Sequence, residues 1–388
     1  MVKFAHIADV HLGGWKQQPI QELNLLSFRT AIDICIKEKV EFVLIAGDLF
    51  DSAFPSIDIL KEAFAIFKKL HDSKIPCFLI AGSHDYSVSG KTFLDVLEKA
   101  GFCKNVTDFE ERDGKIILNP AIYKSVAIYG YPGKTAGLEI ADLRRAEFNE
   151  APGLFKIFML HTTIDKARGN LPIDAIETDK LPYADYYACG HLHIDFQYEN
   201  FVYPGPVFPN NFQELEDLEH GRFCIIDTSL GNSNMLKKIP IKIKEVVPFN
   251  IEIENVSLAT EKIISEFEKE NLEDKIVLLR LRGNLESGKI SDIKFSQIED
   301  AIKKKKAYFF LKNTHELKVK EQEFNIDIGE TEDIESGTIK NYSEQNMSVF
   351  NKHILQLMNI LSTEKQEGET TESFTRRLME ESRKILEF

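Results

Sequence analysis

The chain has 388 residues, 43% of them hydrophobic, and a formal net charge of −14 at pH 7. This length allows two or three domains with a substantial core, and no apolar run reaches membrane-spanning length. The five cysteines are odd in number and scattered, unlike the disulfide framework of a small secreted protein. We therefore expect a soluble, cytoplasmic protein.

Apolar runs and helical spacing alternate through the first hundred residues. The runs Phe4–Ala8, Phe42–Ala46 and Cys77–Ala81 have the length of strands that are buried on both faces. Helical spacing predicts helices at residues 20–39, 57–72 and 91–100. This order of strands and helices predicts a sheet with parallel strands.

The rest of the chain divides into regions of different character. From about residue 112 to residue 230, β-rich runs that include Phe155–Leu160 and Tyr183–Cys189 predict a second sheet packed on the first. Residues 245–320 predict a small α+β unit, and residues 321–345 are acidic and linker-like. Two short amphipathic stripes close the chain. They either fold onto a partner helix or pack on the body of the protein.

The negative charge does not exclude a nucleic acid as substrate, because it is unevenly distributed. Residues 321–388 contain 15 acidic and 7 basic residues, so more than half of the net charge lies there. Two divalent cations would offset about four of the remaining negative charges. A phosphodiester substrate is therefore compatible with this composition.

Five polar clusters follow the apolar runs and contain the residue types that bind metal ions. They are Asp9-Val-His11, Gly47-Asp48, Gly82-Ser83-His84-Asp85, His161 and Gly190-His191-Leu192-His193. In open α/β sheets ligands bind at the carboxyl ends of the strands, so we expect these clusters to meet at one edge. Asp9 and His11 are two residues apart, as are His191 and His193, and an extended chain would point both members of a pair to one face. The glycines predict sharp turns or close backbone approach.

Together the clusters predict a site for two metal ions that share one carboxylate. Such ions lie about 4 Å apart, and Asp48 is the natural bridge. Asp9, His11 and one histidine of the pair at 191 and 193 would complete the first ion. His161, the other histidine of that pair and Ser83 would complete the second. Carboxylate and imidazole ligands suit Mn, Fe or Zn better than Ca. Each cluster alone has a simpler explanation, such as a helix cap or a core histidine, and only their joint occurrence favours metal binding.

The order of these motifs resembles that of the calcineurin-like metallophosphoesterase superfamily. The matching motifs are Asp9-x-His11, Gly47-Asp48-x-x-Asp51, Gly82-x-His84-Asp85, His161 and Gly190-His191-x-His193. More narrowly, Asp-Val-His-Leu-Gly in the first cluster, Ala-Gly-Asp-Leu-Phe-Asp in the second and Tyr203-Pro204-Gly205 are similar to the nuclease subunit of the DNA double-strand-break repair complex, the Mre/SbcD type. The resemblance covers residues 1–320, and the tail matches in layout only.

The resemblance implies a fold class and a division into domains. The fold would be α/β, a calcineurin-like phosphoesterase sandwich of two mixed β-sheets flanked by helices, with a small α+β capping domain and a C-terminal helical tail. Residues 1–240 would form the metallophosphoesterase (nuclease) domain, 245–320 the DNA-capping domain, 321–345 the acidic linker and 346–388 the ATPase-binding region.

The resemblance also implies a role for each site residue. Of two divalent cations, expected to be Mn2+, the first would bind Asp9, His11, Asp48 and His193, and the second Asp48, Ser83, His161 and His191. His84 would face the scissile phosphate with Asp85 orienting its imidazole, and Asp51 would lie behind the ligands. A water acidified by the ions would attack phosphorus in line.

One position departs from the superfamily motif, which has Asn where this chain has Ser83. A hydroxyl is shorter than an amide and a weaker ligand, so we expect the second ion to bind less tightly or through a water.

The implied function is that of a metal-dependent DNA nuclease in double-strand-break repair, with 3′ to 5′ exonuclease and single-strand endonuclease activity on duplex ends and single strands. The implied partners are an SMC-like coiled-coil ATPase, bound by the C-terminal helices, and a second copy of the chain, bound through helices 57–72 and 91–100. The protein would be nucleoid-associated. Candidate DNA contacts are Lys16, Lys91, Lys104 and Lys134. Two alternatives remain: a catalytically weak DNA-tethering scaffold, in which Ser83 has cost the second ion, and a calcineurin-like phosphodiesterase for small substrates.

Overall fold

The structure is a computed structural model. It describes residues 1–85, 92–134, 137–231, 235–285, 288–319, 351–363 and 371–386. The chain forms two compact units, Met1–Val319 and Lys320–Phe388. Among the described helices, none combines the length and the apolar character that crossing a membrane requires.

The first unit contains both helices and strands. Its helices are α1 (Gln18–Lys37), α2 (Ile57–Asp72), α3 (Phe93–Lys99), α4 (Glu139–Leu143), α5 (Phe212–Leu218), α6 (Val256–Glu268) and α7 (Phe295–Lys304). Its strands are β1 (Lys3–Ile7), β2 (Phe42–Ala46), β3 (Cys77–Ile80), β4 (Lys104–Asn105), β5 (Phe109–Arg112), β6 (Lys115–Leu118), β7 (Ala121–Tyr123), β8 (Val126–Tyr131), β9 (Ala146–Phe148), β10 (Phe155–His161), β11 (Tyr186–Gly190), β12 (Phe196–Tyr198), β13 (Phe201–Tyr203), β14 (Gly221–Asp227), β15 (Leu236–Ile241), β16 (Val246–Glu252), β17 (Ile276–Leu285) and β18 (Phe309–Val319).

Two mixed sheets pack face to face. The first has the order β15-β14-β1-β2-β3-β4, and the second has the order β12-β13-β11-β10-β8-β7. In both, the central strands are parallel and antiparallel strands lie at an edge. Side chains of alternate strand residues fill the space between the sheets, among them Phe4, Leu44, Ile80, Ile128 and Met159. The predicted sandwich of two mixed sheets is therefore confirmed.

Helices cover the outer face of the first sheet. The intervening strand residues, such as Ile7 and Val43, point outward and pack against Phe28 and Ile32 of α1. Every residue of β2, β3 and β11 is buried. Both faces of these strands are covered, so apolar side chains are required at every position, and this is why uninterrupted apolar runs predicted them.

A three-stranded parallel sheet with the order β16-β17-β18 forms an α+β unit at residues 246–319. One face, with Leu279 and Leu281, packs on α6 and α7. The other face, with Ile276 and Leu278, packs against a cluster that includes Leu215 of α5. These strands and helices lie within the predicted range, residues 245–320. Their role as a DNA cap stays a prediction.

The second unit contains helices α8 (Ile354–Leu361) and α9 (Thr371–Leu386). Helix α8 lies within the first amphipathic stripe, residues 349–361, of which 349 and 350 lie outside the described residues, and α9 spans the second, residues 374–386. The predicted linker at 321–345 lies outside the described residues. In the first unit, α2 spans the predicted residues 57–72, and the described part of the predicted helix 91–100 is α3.

Candidate metal centre

The candidate ligands meet where the two sheets face each other. Asp9 and His11 follow β1, and Asp48 follows β2, in the first sheet. His161 ends β10 and His191 follows β11, in the second. The carboxyl ends of strands from both sheets therefore form the site, rather than one edge of a single sheet.

Among the residues that the structure describes, three groups of side chains could each hold a cation, with ligand atoms all within 4.8 Å of one another. The groups are Asp9 with His11 and His193, His11 with Asp48 and His84, and Asp9 with Asp48 and His161. Asp9, His11 and Asp48 each belong to two of the groups, and all three are buried. This overlap suits a site in which neighbouring ions share ligands.

The backbone at four candidate ligands lies in the left-handed region. The φ angles are +51° at Asp9, +47° at His11, +49° at Asp48 and +94° at His191. The expectation that Asp9 and His11 point together because the chain is extended is therefore wrong. Instead the backbone N–H groups of Val10 and His11 both donate to the carbonyl of Asp48 at 2.9 Å. These bonds hold a conformation that is unfavourable for residues other than glycine.

His161 presents one ring nitrogen to the centre. Its Nδ1 donates to the carbonyl of Ala46 at 2.9 Å, and its Nε2 lies 3.0 Å from Oδ2 of Asp48. Oδ2 of Asp9 is also buried, and it has no hydrogen-bond partner among the described residues. Buried polar atoms are normally paired. An unpaired carboxylate oxygen close to an imidazole nitrogen that faces a second carboxylate fits a divalent cation.

A carboxylate contacts Nδ1 of His11 and another contacts Nδ1 of His193, so both rings are oriented in the same way. Nδ1 of His11 lies 3.0 Å from Oδ1 of Asp51, and Nδ1 of His193 lies 2.8 Å from Oε1 of Glu214. A carboxylate can only accept, so both Nδ1 atoms carry the proton and the Nε2 atoms face each other 2.9 Å apart. Such outer carboxylates commonly fix the rings of metal-binding histidines. Asp51 thus lies behind His11, as the resemblance implied.

Sequence reasoning missed Glu214. It stands three positions after Asn211, whose side chain accepts from the Glu214 N–H at 2.9 Å at the start of α5. An Asn followed three residues later by Glu is also the ordinary pattern of a helix N-terminus. The local pattern therefore could not reveal the contact with His193.

The electrostatics of the centre follow from burial and opposite charge. Burial alone would raise the pKa of Asp48, but His161 and His11 outweigh it and hold that pKa far below its usual range. Burial lowers the pKa of His161, but the charge of Asp48 raises it to about 10. The pKa of His193 is raised to about 9, because Glu214 and Asp9 outweigh burial. The surroundings of His161 and His193 thus stabilise positive charge on these two rings, whereas burial lowers the pKa of His191 to about 4.

Two glycines allow the strands to approach this closely. A Cβ at Gly47, where φ is +85°, would lie 2.2 Å from Nδ1 of His161. A Cβ at Gly82 would lie 2.2 Å from Oδ1 of Asp48. The expected close approach of the backbone beneath the ligands is confirmed at both positions.

A cleft of about 720 Å3 opens beside the ligands, and His84, Ser83 and His191 line it. The His84 side chain is 47% exposed, and its Nδ1 donates to the carbonyl of Asp51 at 2.9 Å. Its Nε2 is thereby left available to a molecule in the cleft.

Asp85 does not orient His84 as the resemblance implied. Its carboxylate is buried and accepts from three backbone N–H groups, those of Leu49, Phe50 and Gly82, at 2.9 to 3.1 Å. Asp85 therefore ties the loop after β2 to the loop after β3. The carbonyl of Asp51 takes the orienting position instead.

Of the four candidate lysines, the structure places one in the cleft. Lys134 lines it, and its Nζ donates to Oδ2 of Asp142 at 2.6 Å. Lys16 is exposed before α1. Lys104 pairs with Phe78 near the amino end of β3, away from the carboxyl ends that form the centre. Lys91 lies outside the described residues.

Comparison with known proteins shows the family to which this chain is similar. The profile of the family described as Calcineurin-like phosphoesterase matches residues 2–195. The chain is similar to the DNA double-strand break repair protein Mre11 of Archaeoglobus fulgidus, with 26% identity over 324 residues, 77% of this chain and 70% of that protein. The Mre11 protein of Methanocaldococcus jannaschii is 30% identical over 266 residues, 64% and 69% of the two chains. The uncharacterized metallophosphoesterase YhaO of Bacillus subtilis is 30% identical over 236 residues, 55% of each chain.

Proposed function

Because the chain belongs to the calcineurin-like phosphoesterase family, whose members are metal-dependent hydrolases, we propose that it is a DNA nuclease of double-strand-break repair. It cleaves phosphodiester bonds as a 3′ to 5′ exonuclease and as an endonuclease on single strands. The observation that carries this proposal is the buried, unpaired Oδ2 of Asp9, which lies close to the contact between His161 and Asp48 and beside a cleft that contains His84. The similarity to two archaeal Mre11 proteins supports DNA as the substrate.

Each residue of the centre has a part in this reaction. Asp9, His11, Asp48 and His193 would hold one Mn2+, and Asp48, Ser83, His161 and His191 would hold the other. When bound, such ions acidify a water toward neutral pH and stabilise the charge that develops on the phosphate. Asp51 and Glu214 keep the Nδ1 protons of His11 and His193 in place, so that each Nε2 faces the ions.

His84 acts on the substrate. Its Nδ1 donates to the carbonyl of Asp51, so Nε2 is the atom that faces the scissile phosphate, and it donates a proton there when the ring carries a proton on both nitrogens. The half-exposed ring can reach a phosphate in the cleft without rearranging the buried ligands. Lys134 lines the same cleft, and its ammonium group is paired with Asp142.

The proposed partners fit exposed apolar side chains. Phe54, Ile57 at the start of α2 and Val96 of α3 are exposed, which supports a dimer through these helices. Met358 and Leu361 of α8 and Met379 of α9 are also exposed, which supports docking onto a helix of an SMC-like ATPase. Deleting residues 346–388 should then abolish ATPase binding and spare the nuclease activity. Loss of folding on deletion would contradict this role.

The nuclease is tested by incubating the full chain with Mn2+ and a duplex labelled at the 5′ end. We expect shortening from the 3′ end, and we expect Asp48→Ala and His84→Ala to abolish it. His71→Ala, which changes an exposed histidine of α2 outside the cleft, is the matched control and should cut like the wild type. A wild type that leaves DNA intact but hydrolyses a small phosphate ester would identify a small-substrate phosphodiesterase instead.

Ser83 favours a second candidate, a scaffold that tethers DNA and cuts it weakly. In that case the wild type binds DNA and one Mn2+ per chain, and it leaves the duplex intact. Restoring the family residue with Ser83→Asn would then restore both the second ion and cleavage. Two ions and rapid cleavage in the wild type would exclude the scaffold.

A further inference from the structure

Helix α5 lies between the metal centre and the α+β unit of β16, β17 and β18. On one side of the helix, Glu214 holds Nδ1 of His193 at 2.8 Å. On another side, Gln213 and Glu216 contact Arg280 of β17. Gln213 and Glu216 are three residues apart and share a helix face, whereas Glu214 projects elsewhere. One short helix therefore contacts both structures through different side chains.

Arg280 is 8% exposed, and its guanidinium makes four hydrogen bonds. Nε and Nη2 donate to Oε2 of Glu216 at 2.9 and 2.6 Å, and Nη2 also donates to Oε1 of Gln213 at 2.6 Å. Nη1 donates to Oε1 of Glu316 at 2.8 Å, and the guanidinium carbon lies 5.1 Å from the centre of the Phe212 ring. A planar group with this many partners has little freedom, so it sets the position of α5 relative to β17.

Further contacts join α5 to the same sheet. Leu215 is fully buried in a cluster with Ile276 and Leu278 of β17. Nδ2 of Asn250 in β16 donates to Oε1 of Glu216 at 2.9 Å. The orientation of α5 is thus set by the α+β unit, and Glu214 transmits that orientation to His193.

We propose that Arg280 is a positioning residue for the metal centre: by holding α5 against β17, it keeps Glu214 on Nδ1 of His193 and Nε2 of His193 directed at the ion. Arg280 acts through the helix and touches neither metal nor substrate. This inference rests on the metal centre of the proposed function. Metal affinity would then depend on the position of the α+β unit. By the same coupling, metal binding would favour the position of the α+β unit that directs Glu214 at His193.

The test measures Mn2+ affinity of the full chain by the electron paramagnetic resonance signal of free Mn2+, with no nuclease assay. We expect Glu214→Gln and Arg280→Gln each to weaken the tighter site by about tenfold or more, the usual effect of removing an outer-shell partner. Arg29→Gln is the matched control, because it removes an exposed ion pair with Glu62 between α1 and α2. It should bind Mn2+ like the wild type. Arg280→Lys keeps the charge without the planar fork, and it is measured in place of Arg280→Gln if that variant does not fold.

The double variant separates positioning from general loss of stability. If Arg280 acts through Glu214, Arg280→Gln combined with Glu214→Gln should bind no more weakly than Glu214→Gln alone. Effects that add, or an Arg280 variant with wild-type affinity, would overturn the inference while the nuclease proposal stands. A wild type that binds no Mn2+ would instead overturn the nuclease proposal together with this inference.

Discussion

Nε2 of His161 lies 3.0 Å from Oδ2 of Asp48, while Nδ1 of the same ring donates to the carbonyl of Ala46. The carbonyl can only accept, so Nδ1 carries a proton. Nε2 is then either a second N–H or a lone pair that faces a carboxylate. A lone pair is stable there only with a cation nearby. A metal ion that binds Nε2 would therefore have to displace a proton from it.

Metal affinity should accordingly rise with pH. The pKa of His161 is raised to about 10 and that of His193 to about 9, so both rings are protonated at neutral pH in the metal-free protein and must lose a proton to bind. Below these values each displaced proton weakens apparent binding by about tenfold per pH unit. Calorimetry in buffers of different ionisation enthalpy counts the protons released. An affinity that is constant from pH 6 to pH 8 would contradict this prediction.

Replacing Ser83 with Asn should strengthen the second metal site, because an amide oxygen reaches further than a hydroxyl and is a better ligand. The number of Mn2+ ions bound at a fixed low concentration should rise toward two per chain, as measured by metal analysis after gel filtration. Ser52→Asn is the matched control, since Ser52 lines the same cleft outside the ligand motifs. An equal increase in both variants would argue against a role for position 83.

Asn24→Ala should destabilise the loop that carries Asp9 and His11. Asn24 is buried in α1, and its Nδ2 donates to the carbonyl of Val10, between those ligands, at 2.8 Å. Leaving that carbonyl unpaired should cost about 1–3 kcal/mol in the free energy of unfolding by urea. Mn2+ affinity should also fall. Thr30→Ala, on the same helix, should change neither quantity by a comparable amount.

Gly47→Ala should be more damaging than the same substitution at a glycine with open space. Both Gly47, with φ at +85°, and Gly114, with φ at +76°, would carry the left-handed cost of about 1–2 kcal/mol. Nothing lies within 4 Å of a Cβ at Gly114, whereas Nδ1 of His161 lies 2.2 Å from one at Gly47. The clash should add about 1–3 kcal/mol. Equal unfolding free energies for the two variants would show that the strands can separate.

The sequence by itself determined the strands, the main helices and the types of ligand. The apolar run Phe42–Ala46 becomes β2 with the same bounds, and α2 spans the predicted residues 57–72. Both are local properties: a strand covered on two faces must be apolar throughout, and an amphipathic helix repeats its apolar residues at a fixed spacing. The positions of Asp and His after such strands then predicted a metal site.

Only the tertiary structure decided how the ligands are held. Glu214 rather than a nearer residue orients His193, the carbonyl of Asp51 rather than Asp85 contacts His84, and Asp9 reaches the centre through a left-handed backbone. These contacts depend on how two sheets and a later helix pack together, and residues as far apart as 182 positions meet there. The sequence around a histidine does not identify its distant hydrogen-bond partner, because any of several polar groups could accept from the same imidazole.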